Sequence, residues 1–308
     1  MAIFKRVVIS GATGAIGMAL ISKLIQENIK VLVLYRKESL RISQIQDHPL
    51  IKKVVCSLNE MSNFQLTSNE KYDVFYHFAW DGTSGMARDD MYLQNKNIKY
   101  TLDAVHLAKR LGCNTFIGAG SQAEYGRVES RLTPDMRCLP ENGYGIAKLC
   151  AGQMSRILCE KLGIRHIWTR ILSVYGPWDN KNSLISSTII KLINKEEVHF
   201  TKGEQIWDFL YSDDAANAFY LLAKKGVNGK VYCLGSGKKC LLKDAIIEIF
   251  NQLNITDRTG IGDLQYSDKQ VMFLWADIKE LVEDVGFVPN VSLKDGIQKT
   301  INYYKQWD

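Results

Sequence analysis

The sequence predicts an α/β fold, a doubly wound parallel sheet with helices on both faces and a smaller α/β lobe at the C-terminal end. Three observations carry that prediction. A short apolar run, Arg6-Val7-Val8-Ile9, leads into Ser10-Gly11-Ala12-Thr13-Gly14-Ala15-Ile16-Gly17 and then into apolar residues at helical spacing. Strand-like apolar runs then alternate with helical patterns, which calls for right-handed crossovers and a parallel sheet. Finally, 308 residues, 46% hydrophobic and 23% charged, suffice for one large α/β domain or two smaller ones.

In chain order, residues 6–9 read as a buried strand, and Ile16, Met18, Ala19, Leu20, Ile21, Leu24 and Ile25 give the first helix its apolar face. Residues 30–36 form a second strand with an apolar core, 54–56 a third and 72–79 a fourth. A polar loop over 80–85 precedes a long helix running through Asn97 to Arg110. The fifth strand covers 115–119, a charged loop ends at Pro140, a helix spans 144–162, and a sixth strand covers 165–171. The second half is less regular. A helix is expected over 183–194, and Asp213-Asp214 should cap another that runs through Leu222. A strand over 231–234 ends at Gly235-Ser236-Gly237, 242–253 is amphipathic, and a last helix runs from 293 to about 304. Pro177 and Pro289 punctuate this half, and no internal repeat or low-complexity segment is present. The expected division places 1–172 and about 206–237 in the sheet domain. About 173–205 and 238–308 form the smaller lobe, set where the strands end.

The net charge of +6 comes from dispersed lysines, which fits a solvated surface and an anionic small molecule better than nucleic acid. No apolar run approaches bilayer length. Met1-Ala2-Ile3-Phe4-Lys5-Arg6 runs into the first strand without a signal-peptide pattern. Seven scattered cysteines lack a C-x-x-C pair, so reduced thiols in a cytoplasmic protein are expected, and no metal site.

The chemistry concentrates in two places. Strand, glycine turn and helix form the setting for a dinucleotide: glycines let the backbone approach a pyrophosphate, and the helix N-terminus offers unpaired N–H groups. The spacing is G-x-x-G-x-x-G. Farther on, Tyr144 and Lys148 stand four apart, on one face of a helix. A phenol with its ordinary pKa of ~10 transfers protons poorly at neutral pH, and a neighbouring ammonium favours the phenolate. Ser121 lies just past the fifth strand, at the end where such sheets bind ligands, with a hydroxyl suited to a carbonyl or alcohol oxygen.

Taken together, these motifs resemble the extended short-chain dehydrogenases/reductases of the NAD-dependent epimerase/dehydratase type. The residues that carry the resemblance are Gly11 to Gly17, His77-Phe78-Ala79, Asn97 with Thr101, Ser121 with Tyr125-Gly126, Tyr144 with Lys148, and Arg170 through Val174-Tyr175-Gly176-Pro177. Phe209-Leu210-Tyr211-Ser212-Asp213-Asp214 and the run ending at Gly235-Ser236-Gly237 continue it over nearly the whole chain. The resemblance implies a Rossmann domain, a bound nicotinamide dinucleotide, a nucleotide-sugar substrate in the smaller lobe, and a homodimer through the helices holding Asn97 and Tyr144. It makes Tyr144 the acid/base, Lys148 the holder of the nicotinamide ribose, Ser121 the contact to the reacting oxygen, and Asn97 a support. Cofactor contacts are expected from Gly11, Thr13, Gly14, Ala15, Ile16, Gly17, Arg36, Ser57, Leu58, Phe78, Ala79, Tyr144 and Lys148.

Several departures narrow the reading. The acidic residue that would accept a ribose 2′-OH after the second strand is replaced by Tyr35-Arg36-Lys37, so NADP(H) is preferred over NAD(H). The Asp-Glu pair of 4,6-dehydratases is Gln122-Ala123, with Glu124 displaced by one position, which argues against that activity. Ser173 replaces the usual Asn before Val-Tyr-Gly-Pro, and Trp207 replaces an Arg that commonly grips a diphosphate. Substrate contacts are therefore expected from Trp80, Gln122, Ser173 and Trp207, with Trp178 a further aromatic near the site. The segments around Gln205 to Ser212 and Gly120 to Gly126 are similar to the branch that holds CDP-abequose synthase and related deoxysugar ketoreductases. His77, inside a strand, is expected to help near the cofactor, and His166 and His199 to be structural. The resulting reading is an NAD(P)-dependent oxidoreductase reducing a nucleotide-linked 4-keto-6-deoxyhexose. The alternatives are a sugar 4-epimerase and a non-catalytic NADP-sensing protein.

Overall fold

The computed structural model describes residues 4–66 and 69–306, so the reading of the first residues falls partly on positions 1–3, outside the described residues. Strand β1 (Arg6–Ser10) is followed by helix α1 (Ala15–Gln26), then by β2 (Lys30–Tyr35), β3 (Ile51–Val55) and β4 (Val74–His77). Helix α2 (Met91–Arg110), β5 (Thr115–Ser121), α3 (Gly143–Leu162) and β6 (Arg165–Ile171) come next. The remainder holds β7 (Ser173–Tyr175), α4 (Leu184–Ile193), β8 (Ile206–Trp207), β9 (Phe209–Tyr211), α5 (Ser212–Lys225), β10 (Val231–Leu234) and β11 (Cys240–Leu241). Helix α6 (Leu242–Gln252), β12 (Phe273–Leu274), α7 (Lys279–Val285) and α8 (Leu293–Lys305) complete it.

Seven strands pair in parallel in the order β10-β6-β5-β4-β1-β2-β3. Their side chains alternate between two cores, as the period of two requires. Val7, Ile9, Val31, Val33, Val74, Tyr76 and Ile117 join Leu20, Leu24 and Phe219 of α1 and α5 on one face. Val8, Leu32, Leu34, Phe75 and Phe116 join Ala104, Val105, Leu107 and Cys159 of α2 and α3 on the other. A third core, built from Tyr175, Ile185, Ile189, Tyr211, Ala245, Ile249, Ile297 and Ile301, lies between α4, α6 and α8. All seven cysteines are free. Among the described residues, no helix is long and apolar enough to cross a membrane.

The main sheet follows the sequence pattern closely, and the differences have local causes. Strand β3 begins at Ile51, earlier than expected, because Lys52 and Lys53 sit on the edge strand of the sheet, where their side chains need not enter a core. Strand β5 continues to Ser121, so that serine ends the strand rather than following it. Helix α3 starts at Gly143, capped by Asn142 Oδ1 accepting from Gly145 N at 2.8 Å. Asp213 and Asp214 do not cap α5. Its N-cap is Tyr211, both aspartates lie in the first turn, and Asp214 instead accepts from Asn290 N and Val291 N. Strands β7, β8, β9, β11 and β12 and helix α7 were not expected, since elements this short have no periodicity of their own.

Asp208, between β8 and β9, ties the second half together. Fully buried, it accepts from Ser236 N (2.7 Å), Ser236 Oγ (2.6 Å), Gly237 N (3.0 Å) and Ala276 N (3.2 Å). Asp208→Ala strands these donors and should cost about 3 kcal/mol in urea unfolding, with Asp208→Asn intermediate. A loss below about 1 kcal/mol would show that other contacts hold this junction.

Candidate active site

Because the strands of the main sheet run in parallel, their carboxyl ends share one edge, and β1 and β4 part there where the order of the sheet reverses. The sequence-designated residues meet at this edge. The turn from Gly11 to Gly14 follows β1, Arg36 follows β2, Ser57 and Leu58 follow β3, Phe78 and Ala79 follow β4, and Ser121 ends β5.

The three glycines of the turn have distinct physical reasons. Gly11 has a φ of +75°, and a Cβ there would collide with the Phe78–Ala79 backbone. At Gly17 a Cβ would lie 2.5 Å from Ala12 O, so this glycine lets α1 pack against its own turn. Gly14 is different: a Cβ would meet nothing within 4 Å. Among the described residues no packing requires that glycine, so it leaves open backbone beside Thr13, Ala15 and Ile16. It is also the N-cap of α1, whose first turn has no side-chain cap and no acid. An open glycine and an uncapped helix N-terminus fit the pyrophosphate of a nicotinamide dinucleotide. Arg36 is exposed at the end of β2 and forms no ion pair among the described residues. Ser57 opens a short turn, its backbone N–H donating to Glu60 Oε2 at 2.6 Å, while Leu58 packs on the core and the Phe78 ring packs against Phe219.

Ser121, Tyr144 and Lys148 are all buried. Burial pushes the Tyr144 phenol up, while a hydrogen bond with Ser121 and the charge of Arg88 pull it down. Lys148 Nζ donates to Ala119 O at 2.6 Å and lies 3.7 Å from the centroid of the Trp80 ring. Burial brings Lys148 down to about 7, against the pull of Glu124. The Trp80 ring also meets Tyr144 edge-on at 6.0 Å. Trp80 is held by Nε1 donating to Gln94 Oε1 at 2.9 Å, and Gln94 Nε2 in turn donates to Gly82 O and Ala87 O at 2.8 Å. Asn97 fixes the same loop by exchanging two hydrogen bonds with the Asp81 backbone, at 3.0 and 2.9 Å.

Gln122 follows Ser121 in a short turn and is partly exposed. The carboxylate of Glu124 is fully buried and accepts from Ser121 N (2.9 Å), Trp168 Nε1 (3.0 Å) and Arg170 Nε (2.9 Å). Ser173 and Trp207 come together, the indole N–H donating directly to the serine hydroxyl. The Trp178 ring is 4.9 Å from that of Tyr303, and its carbonyl accepts from Arg41. His77 Nδ1 is 2.8 Å from Ser10 Oγ, and burial together with the Lys148 charge brings its pKa down to about 3, so the ring stays neutral. His166 is buried beside Ser155 and between aromatic rings, and His199 pairs with Asp263 at the surface. Sequence reasoning missed Arg88, whose guanidinium carbon is 4.3 Å from the Tyr144 ring centroid, and Gln94, which holds Trp80. Gln94 had a usable signal, since it lies three positions before Asn97 on the same helix face. Arg88, in the short 3-10 turn Gly85–Asp89, had none.

The model of the NAD dependent epimerase/dehydratase family matches residues 7–235. The chain is 26% identical over 331 residues to dTDP-D-glucose 4,6-dehydratase of Bos taurus, covering 98% of this chain and 89% of that protein. It is 24% identical over 308 residues to CDP-abequose synthase of Salmonella muenchen, covering 97% of both. Among solved structures, that of UDP-glucose 4-epimerase from Thermotoga maritima with UDP-glucose superposes with a TM-score of 0.88 over 98% of this chain and 99% of that one, at 20% identity, a likeness of fold. The family match runs from β1 to Gly235, just past β10, and takes in the whole Ser121–Tyr144–Lys148 set: the chain belongs to the NAD-dependent epimerase/dehydratase family of extended short-chain dehydrogenase/reductase enzymes.

Proposed function

We propose that this enzyme is a ketoreductase that uses NADP(H) to reduce a nucleoside-diphosphate-linked 4-keto-6-deoxyhexose in deoxysugar biosynthesis. One observation carries the reading. The proton-transfer set Ser121, Tyr144 and Lys148 is complete, whereas the carboxylate that follows Ser121, Glu124, is bound by Arg170, Trp168 and the Ser121 backbone. Expelling water from a sugar needs a free acid and base next to the ring; reducing a ketone needs one proton donor.

When bound, the nicotinamide cofactor supplies the hydride. The turn from Gly11 to Gly17 would hold its pyrophosphate, Arg36 the 2′-phosphate, Ser57 and Leu58 the adenine side, and Phe78, Ala79 and Lys148 the nicotinamide half. Ser121 directs its hydroxyl to the keto oxygen and holds it near Tyr144. Tyr144 then gives its phenolic proton to the oxygen as negative charge develops there, and the nearby cations stabilise the phenolate left behind. Asn97 and Gln94 fix the loop carrying Trp80, which walls the reacting centre. Trp80, Gln122, Ser173 and Trp207 would contact the sugar nucleotide. The smaller lobe that receives it is formed by about 173–205 and 238–308. A homodimer through α2 and α3 belongs to the same proposal, supported by the exposed apolar residues Tyr92, Ile146, Met154 and Ile157 on those helices. Cytoplasmic residence is supported by the free cysteines.

A screen of CDP-, dTDP-, GDP- and UDP-linked 4-keto-6-deoxyhexoses tests the reaction by loss of NADPH absorbance. Stoichiometric NADPH consumption is expected with one of them. Turnover on a cofactor retained through purification, without net consumption, would instead mark a 4-epimerase. Tyr144→Phe should lower kcat by at least about a hundredfold while NADPH still binds. Unchanged cellular function in that variant would point to a non-catalytic NADP sensor.

Arg36→Ala should raise KM for NADPH roughly tenfold or more and leave KM for NADH nearly unchanged, the loss expected for one charge-assisted phosphate contact. A wild-type enzyme that prefers NADH would overturn the NADP assignment.

A further inference from the structure

Two cations flank Tyr144, and the nearer one is not on its own helix. The Arg88 guanidinium carbon lies 4.3 Å from the centroid of the Tyr144 ring, and Lys148 Nζ lies 5.6 Å from it. The Lys148 ammonium is directed at the Ala119 carbonyl and the Trp80 indole. A guanidinium keeps its charge across the working pH range, whereas burial brings Lys148 down to about 7. Arg88 is also held in place. Its Nη1 donates to Thr83 O at 3.3 Å, and the next residue, Asp89, accepts from Gly143 N at 3.0 Å. A Cβ on Gly143 would meet Arg88 O at 3.0 Å, so the arginine backbone sits directly on the helical turn that carries Tyr144.

We propose that Arg88 is a positioning residue for the acid–base step: stacked on the Tyr144 ring, its guanidinium stabilises the phenolate and holds the ring toward Ser121. This rests on the reading of Tyr144 as the acid/base. The polar groups facing Tyr144 are Ser121 from β5, Arg88 from the loop before α2, Lys148 from α3, and Glu124 from the turn after β5. Ser121 and Arg88 pull the phenol down and Glu124 pushes it up. The Glu124 charge is already balanced by Arg170 at 2.9 Å. Arg88 is therefore the nearby charge whose removal acts most directly on the buried ring, where screening by water is weak.

The sign follows from the chemistry. Without Arg88 the phenolate is less favoured and the phenol titrates at higher pH. Reduction uses the neutral phenol and so keeps its rate to higher pH. Oxidation of the product alcohol uses the phenolate and loses rate at any pH below the new midpoint.

The experiment compares wild-type protein with Arg88→Gln and Arg88→Lys, following phenolate absorbance as a difference from the same protein carrying Tyr144→Phe. In Arg88→Gln the Tyr144 midpoint should rise by about one pH unit, and the acid limb of product oxidation should rise with it, a roughly tenfold loss of rate below that limb at unchanged KM. Arg88→Lys should recover part of both shifts. An unmoved midpoint overturns the proposal. So does a raised KM with an unmoved limb, which would make Arg88 a substrate contact. The absorbance titration needs no sugar nucleotide, so it decides the role of Arg88 even if every candidate substrate fails, a failure that would count against the ketoreductase reading alone.

Discussion

Seven strands run in one direction, and that single constraint places the site. A parallel sheet delivers the carboxyl end of every strand to the same edge, so residues far apart in the chain, Gly11, Arg36, Ser57, Ala79 and Ser121, are laid out along one edge. The glycines then set how close the pieces come. With a Cβ at Gly11 the turn after β1 could not rest on the end of β4, and with one at Gly17 helix α1 could not start where it does. Gly14 answers to no such demand among the described residues. Its open space is the mark of a surface shaped for something other than the protein itself.

The buried Glu124–Arg170 pair has the corresponding role on the catalytic side. An ion pair out of water is costly unless every lone pair finds a donor. Here Glu124 receives the Ser121 backbone, the Trp168 indole and Arg170, and Arg170 also donates to Pro134 O at 2.9 Å and lies over the Tyr125 ring. Satisfied in this way, the pair locks the end of β5 against β6 and fixes the backbone from which Ser121 projects. The Glu124 carboxylate, one position past the place that the sequence comparison with dehydratases singles out, is thus held by three donors at the end of β5.

The strands and helices of the main sheet were legible in the sequence because each is long enough to show a period of two or 3.6. Tyr144 and Lys148 were legible for the same reason, since a separation of four residues by itself fixes a shared helix face. The second half was harder. Strands of two or three residues such as β8 and β11 exist only through their partners, and no local pattern encodes a partner distant in the chain. Asp214 looked like a helix cap and is one acceptor for the backbone at 290 and 291, because tertiary contacts override a local preference. Arg88 was invisible for a further reason: a loop arginine acquires its meaning only when folding sets it on a ring 56 positions later in the chain.

Ser173 and Trp207 looked like two separate departures in the sequence, and the structure makes them one feature. The serine hydroxyl accepts the indole N–H, so each residue satisfies the polar group the other would otherwise leave unpaired. Replacing an amide and a guanidinium by this pair exchanges a charged, multiply donating surface for a neutral one with a single internal hydrogen bond. Such a wall offers an aromatic face and shape but no charge. Positive charge stands instead at Lys239 and Arg131, both over the Trp275 ring, and Arg131 is paired with Asp277 at 3.3 Å. Side by side, the two residues therefore give this part of the fold an uncharged aromatic face, with its one polar demand met internally.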